Sequence, residues 1–174
     1  MTTPPTAATP REVRPATTAD APTLARLMWD FSTEFGTPVD PVEVLIDRFS
    51  RILAVDGVFA LLAGDADGFA LFTLRPAIWF DGPVTQLEEL YVVPHLRDQG
   101  IGSAMLTAAR DISRAHGSPQ MHINVDEDDV DTRRFYARHG FTNLQDVDPE
   151  HPHDPAYLMF CYIGSTQTDR PQDG

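Results

Sequence analysis

The stretch that most restricts how this chain can fold is Gln86 to Ser103, QLEELYVVPHLRDQGIGS. It opens as an apolar strand, passes Pro94, and closes in Arg97-Asp98-Gln99-Gly100-Ile101-Gly102. Apolar residues at helical spacing follow at once, from Ile101 to Arg114. A strand that runs through a glycine turn into a helix start demands a sheet with a helix packed on it. It also makes a seat for an anion. The first N–H groups of a helix have no partner within the helix, and the helix dipole adds partial positive charge at the same point.

Which anion can be narrowed by elimination. No Lys-Ser or Lys-Thr follows the last glycine, so the turn is not the loop of a nucleotide hydrolase. The third glycine of a dinucleotide fingerprint would fall at Met105, and the turn sits mid-chain instead of opening a βαβ unit. What remains is R-x-x-G-x-G behind a strand ending in V-x-P. Here Gly100 and Gly102 let backbone approach a phosphate closely and Arg97 can supply charge. The plainer alternative is a tight turn that needs glycine for its own geometry.

The rest of the chain arranges itself around this stretch as one domain over 13–163, with polar tails at 1–12 and 164–174. Val13 to Ala16 reads as a short strand. Asp20 and Pro22 open an amphipathic helix that carries Leu24, Leu27, Met28, Phe31 and Phe35. A second helix spans about Pro41 to Ala54. Val58–Ala63 and Phe69–Leu74 flank turn chemistry at Gly64–Gly68 and predict a hairpin. Strands at Thr85–Val93, Met121–Val125, from Phe141, and at Ala156–Ile163 alternate with helices at 101–115 and 129–139. This order predicts an α/β domain: a mixed, mostly antiparallel central sheet with helices on both faces.

Charge and cysteine content exclude several roles. The 174 residues carry 26 acids against 13 Lys and Arg, a net charge of -13. A nucleic acid partner is therefore disfavoured, because its phosphates would be repelled, whereas a cationic small molecule would be attracted; the plainer reading is that the acidity only keeps the chain soluble. No apolar run is long enough for a membrane helix. One cysteine, Cys161, and the absence of an apolar leader in MTTPPTAATPREV predict a reducing, cytoplasmic location.

Two segments together resemble a known family. LEELYVVPHLRDQGIGSAML is similar to the acetyl-CoA-binding motif of the GNAT N-acetyltransferase superfamily, (R/Q)-x-x-G-x-(G/A) after a strand ending in V-x-P. Phe135-Tyr136-Ala137-Arg138-His139-Gly140-Phe141 resembles the F-Y-x-x-x-G-F segment that follows it there. The resemblance implies acetyl-CoA as co-substrate, no metal, and direct attack of an amine on the thioester. It places the pyrophosphate on the backbone of Asp98, Gln99, Gly100, Ile101, Gly102 and Ser103, with Arg97 as a charged cofactor contact, and the pantetheine beside Leu90, Tyr91 and Val92, the pairing extending in one variant to Val93. Dimers are common in the family, so a homodimer is an expectation. The family's acceptors also include protein N-termini and lysines, and the same fold could serve as a non-catalytic acyl-CoA-binding module.

Acetyl transfer to an amine needs a base, because an alkylamine of pKa about 10 is protonated at pH 7. Glu88 and Glu89 lie just upstream of the pantetheine positions, on opposite faces of the strand unless a bulge intervenes. Leu-Glu-Glu is similar to the Leu-Glu-Asp of the family's diamine acetyltransferases, and Glu88 is the favoured base. Tyr136 matches the family tyrosine that protonates the leaving thiolate; otherwise it is a core tyrosine. Asp129 and Thr132 fall at positions that line the cofactor in the family, where Asn and a small residue are usual. The acids of Asp126–Asp131 also suit a helix start. His151-Pro152-His153-Asp154 has the composition of a metal site but reads as a solvated loop. Trp79 and Phe80 could wall an acceptor pocket, form a dimer contact or pack in the core. Trp29, Phe31 and Phe35 could wall the acceptor side or be buried.

Overall fold

The structure, a computed structural model, describes residues 11–143, 150 and 157–162. The two tails, the polar loop at 146–155 and its histidines His151 and His153 fall outside or almost wholly outside these residues. The elements are β1 (Val13–Pro15), α1 (Ala21–Glu34), α2 (Val42–Ile52), β2 (Val58–Ala63), β3 (Gly68–Arg75), β4 (Val84–Val92), α3 (Ile101–Ala115), β5 (Met121–Asp126), α4 (Val130–Arg138), β6 (Thr142–Asn143) and β7 (Tyr157–Tyr162). Short 3-10 turns precede α1 and follow β4 at Thr18–Asp20 and Pro94–Leu96.

Seven strands form one mixed sheet in the order β1-β2-β3-β4-β5-β7-β6. β1–β2 and β2–β3 are antiparallel, while β4–β5, β5–β7 and β6–β7 are parallel. This is the expected mixed sheet. Its antiparallel part is the hairpin end of the chain, and its parallel part follows the first long crossover, which alone can return a strand in the same direction. The pairing of β4 with β5 takes in Thr85↔Met121 and Gln86↔His122, whereas β5 pairs with β7 from Met121 to Asp126.

The chain groups into two compact units. In the first, up to Thr73 together with Glu89–Ile112, the core is apolar side chains from α1, α2 and the sheet. Leu24 and Leu27 of α1 are at most 2% exposed, and Phe49 of α2 stands edge-on to Phe69 of β3. Burying each such side chain stabilises the fold by about 1.5–3 kcal/mol. Phe69 and its neighbour Gly68 face opposite ways, as pleating requires. Phe69 meets α2, whereas a Cβ on Gly68 would come 3.4 Å from Met105 of α3. Helices thus cover both faces of this unit. α1 ends where Gly36 takes a positive φ of 65° and Thr37 N–H bonds the Ser32 carbonyl at 2.9 Å.

The second unit, Leu74–Glu88 with the chain from Ser113 onward, buries Val84, Thr85, Met121, Ile123, Tyr136, Phe141 and Leu158. Thr85 is fully buried because its polar groups are met: its N–H and hydroxyl both lie within 3.1 Å of Ser118 Oγ. Cys161 is half-buried and its Sγ accepts from Asn143 Nδ2 at 3.0 Å. Among the described residues no helix is long and apolar enough to cross a membrane, and no cluster of three His, Cys, Asp or Glu is placed to hold a metal.

Candidate functional site

The turn between β4 and α3 has the form the sequence required. Asp98 and Gly100 both take left-handed backbone, with φ of 60° and 81°. Glycine does so without steric cost, and aspartate is among the few other residues that tolerate it. A Cβ placed on Gly100 would meet nothing within 4 Å, so open space lies beside the turn. The helix begins at once, with Ala104 N–H bonded to the Gly100 carbonyl at 2.9 Å. The amides of Ile101 and Gly102 precede the first intrahelical bond and lie at the positive end of a 15-residue helix. A turn open at Gly100, with free helix-start amides beside it, has the chemistry to hold an anion such as a pyrophosphate.

Arg97, beside the turn, is engaged by groups of the protein itself. Its two terminal nitrogens donate to both oxygens of Glu34 at 2.7 and 2.8 Å. Its Nε donates to the Val92 carbonyl at 3.0 Å, and its guanidinium lies 5.7 Å from the Tyr91 ring centroid. The hydrogen bonds from Arg97 hold the Glu34 carboxyl below its ordinary range, and the same bonds raise the arginine. Burial, followed by the charge and hydrogen bond of Glu34, pushes the Tyr91 hydroxyl up. A carboxylate at the C-terminal end of α1 opposes the helix dipole, and Arg97 relieves it. Through these contacts Arg97 ties the turn to α1.

The pantetheine positions are ordered as strand. Tyr91 and Val92 are buried, and Leu90 and Val93 are half-buried. Val93 N–H bonds the Asp67 carbonyl at 3.1 Å. A Cβ on Gly68 would come 2.6 Å from the Tyr91 carbonyl oxygen, so β3 needs glycine to approach β4 here. Of the two acids, Glu88 is exposed and Glu89 is half-buried.

In the other unit, Asp129 caps α4: its carboxylate accepts the Thr132 N–H at 3.1 Å. The residues expected along the cofactor are here engaged with each other as a helix start. Tyr136 is 7% exposed, with its ring 5.1 Å from Phe135 and 5.5 Å from Phe141, so packing fixes its orientation.

The sequence left the roles of Trp79 and Phe80 open; core packing is now excluded for Trp79, while Phe80 is half-buried. Ile78 is 92% exposed and Trp79 86%. With Arg75, Phe80, Gln120 and His122 they line an open cavity of about 730 Å³. Arg75 Nη2 lies 3.2 Å from His122 Nδ1, and His122 Nε2 lies 2.9 Å from Gln120 Oε1. Arginine can only donate, so Nδ1 accepts and Nε2 carries the proton. Burial, and then the charge of Arg75, pushes the His122 imidazole below its ordinary value. No sequence motif marks Arg75, Gln120 or His122; a basic residue closing the apolar run GFALFTL was the one available sign.

A strand–turn–helix open to an anion, set in a mixed α/β sheet, is compatible with a transferase that uses an acyl-CoA. A family profile described as the Acetyltransferase (GNAT) family matches residues 22–141, and the chain belongs to that family. Aminoglycoside N(6')-acetyltransferase type 1 of Klebsiella aerogenes is 29% identical over 141 residues, 78% of this chain and 91% of that protein. A solved protein of Arthrobacter sp. FB24, assigned to the acetyltransferases, is 43% identical, with a TM-score of 0.73 over 83% of this chain and 90% of its own. A structure of AAC(6')-Iy with the bisubstrate analogue CoA-S-monomethyl-acetylneamine shares the fold at 20% identity, with a TM-score of 0.68 over 80% and 96% of the two chains.

Proposed function

We propose that this acetyltransferase moves the acetyl group of acetyl-CoA to the primary amine of a small acceptor whose reacting end is cationic. The observation that carries the reading is the open turn at Asp98–Ser103 feeding α3, in a chain whose family transfers acetyl groups. Backbone donors of the turn hold the pyrophosphate, and the edge of β4 at Leu90–Val93 lies along the pantetheine. Bound there, acetyl-CoA supplies an acetyl group as a thioester, whose C–S bond breaks as the amine nitrogen takes the acetyl carbon. Glu88, the exposed carboxylate of β4, attracts the ammonium and takes its proton directly or through water. Tyr136 returns a proton to the sulfur. Glu89 assists by adding negative charge next to the incoming ammonium. The aminoglycoside acetyltransferase relative and the strongly acidic composition both support a cationic amine. The Leu-Glu-Glu segment supports a diamine or a similar small amine.

The test is thiol release from acetyl-CoA across a panel of diamines, aminoglycosides, amino acids and peptides, with mass detection of product. Acetylation of small amines, lowered about 10²–10⁴-fold in kcat by Glu88→Gln, is the expected result. Acetylation of peptides alone would move the acceptor to protein N-termini or lysines. Tight acetyl-CoA binding without turnover on any amine would leave a binding module.

A further inference from the structure

Arg11 stands just ahead of β1 and outside the segment that the family profile matches, yet the fold carries it to the turn at Asp98–Ser103. We propose that Arg11 is a binding residue for the coenzyme, its guanidinium supplying charge to a phosphate group of acetyl-CoA held at that turn. The inference rests on the placement of the pyrophosphate given above and adds to it a cation that no motif marks.

Three observations carry it. The first is how Arg11 reaches the turn. Gly64 N–H bonds the Glu12 carbonyl at 2.8 Å, which fixes the start of β1 beside the β2–β3 hairpin turn. Val93 N–H bonds the Asp67 carbonyl at 3.1 Å, which brings the end of β4 to the same hairpin turn. Arg11 lies in the corner so formed. Its Nη1 donates to Gln99 Oε1 at 3.1 Å, and its Nε pairs with Asp67 Oδ2. Gln99 directly precedes Gly100, and its own Nε2 donates to the His95 carbonyl at 3.1 Å, which leaves its oxygen for Arg11. The guanidinium is thus held at the turn by partners from two other stretches of chain.

The second is what those contacts leave over. Arginine carries N–H donors on Nε and on both terminal nitrogens. Nε and Nη1 are engaged, and among the described residues nothing bonds Nη2. The side chain is 33% exposed, so it is held in place without being covered. A planar guanidinium with donors to spare suits a phosphate, which offers paired acceptor oxygens. The third is charge. Asp65 and Asp67 of the hairpin turn and Asp98 of the β4–α3 turn lie at the end of the sheet where Arg11 bridges the two turns, and without a cation they would repel a phosphate. The other arginine beside the turn, Arg97, has both terminal nitrogens on Glu34. Arg11 offsets the acids at the place where Gly100 is open and the amides of Ile101 and Gly102 begin a helix.

The test is calorimetric titration of CoA, and of dephospho-CoA, which lacks the 3'-phosphate, into the full chain and its Arg11→Gln and Arg11→Lys variants at about 0.05 M and about 1 M salt. Arg48→Gln, which removes the same charge from α2, is the control for net charge, and melting temperatures check folding. The expected result is a Kd for CoA about tenfold higher in Arg11→Gln at low salt, most of it regained in Arg11→Lys, since losing a charge-assisted bond has an effect of that order. The difference closes at high salt, where the Debye length is about 3 Å, and Arg48→Gln stays within about twofold of the wild type. A loss with both ligands assigns Arg11 to the pyrophosphate; a loss with CoA alone assigns it to the 3'-phosphate. Equal affinities in Arg11→Gln and the wild type would overturn the proposal. So would a loss that persists at high salt and is shared by Arg11→Lys, because Arg11 would then only hold Gln99 and Asp67 together. Gly102→Glu tests the reading beneath. CoA binding that survives it would remove the turn as the phosphate seat, whereas its loss beside full binding in Arg11→Gln would spare the turn and overturn the role of Arg11 alone.

Discussion

Replacing Arg97 by lysine separates two roles that the sequence motif alone confuses. If Arg97 acts through charge on the pyrophosphate, lysine keeps that charge and keeps affinity. If it acts by clamping the turn to α1, lysine fails, because it cannot make the paired bonds at 2.7 and 2.8 Å to Glu34 and the 3.0 Å bond to the Val92 carbonyl together. The ion pair is partly open to water, its side chains being 39% and 29% exposed, so solvent screening holds its contribution to about 1 kcal/mol. The bond to Val92 is worth about 1 kcal/mol more. Lysine retains one bond to Glu34 and its approach to the Tyr91 ring, which leaves a loss of about 1.5 kcal/mol and a fall in melting temperature of about 3–6 °C for a chain of this size. Acetyl-CoA affinity, measured by titration calorimetry at two salt concentrations, is expected to fall about tenfold in both Arg97→Lys and Arg97→Ala. The reasoning would be refuted by an Arg97→Lys protein that melts within about a degree of the wild type and keeps its affinity, while Arg97→Ala loses both affinity and its salt dependence.

Three further outcomes follow from contacts described above. Gly68→Ala drives a methyl group to 2.6 Å from the Tyr91 carbonyl oxygen and should destabilise the fold by about 1–3 kcal/mol, read as a lower urea midpoint at unchanged slope. Asp20 accepts from Arg14 at 2.7 and 2.9 Å and from Thr17 N–H at 2.8 Å, and the bonds from Arg14 chiefly hold its carboxyl well below the carboxylate range. Because the folded value lies below the unfolded value of about 3.9, its stabilisation is complete above about pH 5 and is lost as pH falls further. Asp20→Asn should lower stability at pH 6 and shrink that acid-side loss in urea titrations between pH 6 and 3. Asp129→Ala removes the cap on Thr132 N–H and should cost about 1 kcal/mol by chemical denaturation; no change at all would mean the cap is idle.

The main elements were legible from periodicity and punctuation because both act over a few residues. The strand–turn–helix at 84–115 was visible as an apolar run, a proline, two glycines and then helical spacing. The cap at Asp129 was visible as an acid before a helical pattern. What sequence could not show depends on partners brought together by the fold. Nothing near Arg97 announces that Glu34 will meet it, so its charge read as available. Asp98 gave no sign that it would share the left-handed backbone of Gly100. Trp79 lay beside Phe80 in a loop between two buried strands, and only the path of the backbone decides which of such neighbours is left in water. Arg75, at the end of β3, and His122 of β5 are 47 residues apart, and only the fold brings their side chains to 3.2 Å.

The Arg97–Glu34 contact also has a kinetic meaning. Its partners are 63 residues apart, so the turn cannot reach its clamped geometry until α1 has closed a long loop onto the end of β4. The seat for the co-substrate is thus completed late, together with the core it rests on. Partly folded chains would lack it, and bound acetyl-CoA would draw the equilibrium toward the closed form. At a hundredfold excess over the dissociation constant that linkage adds about 2.7 kcal/mol to the stability of the folded chain.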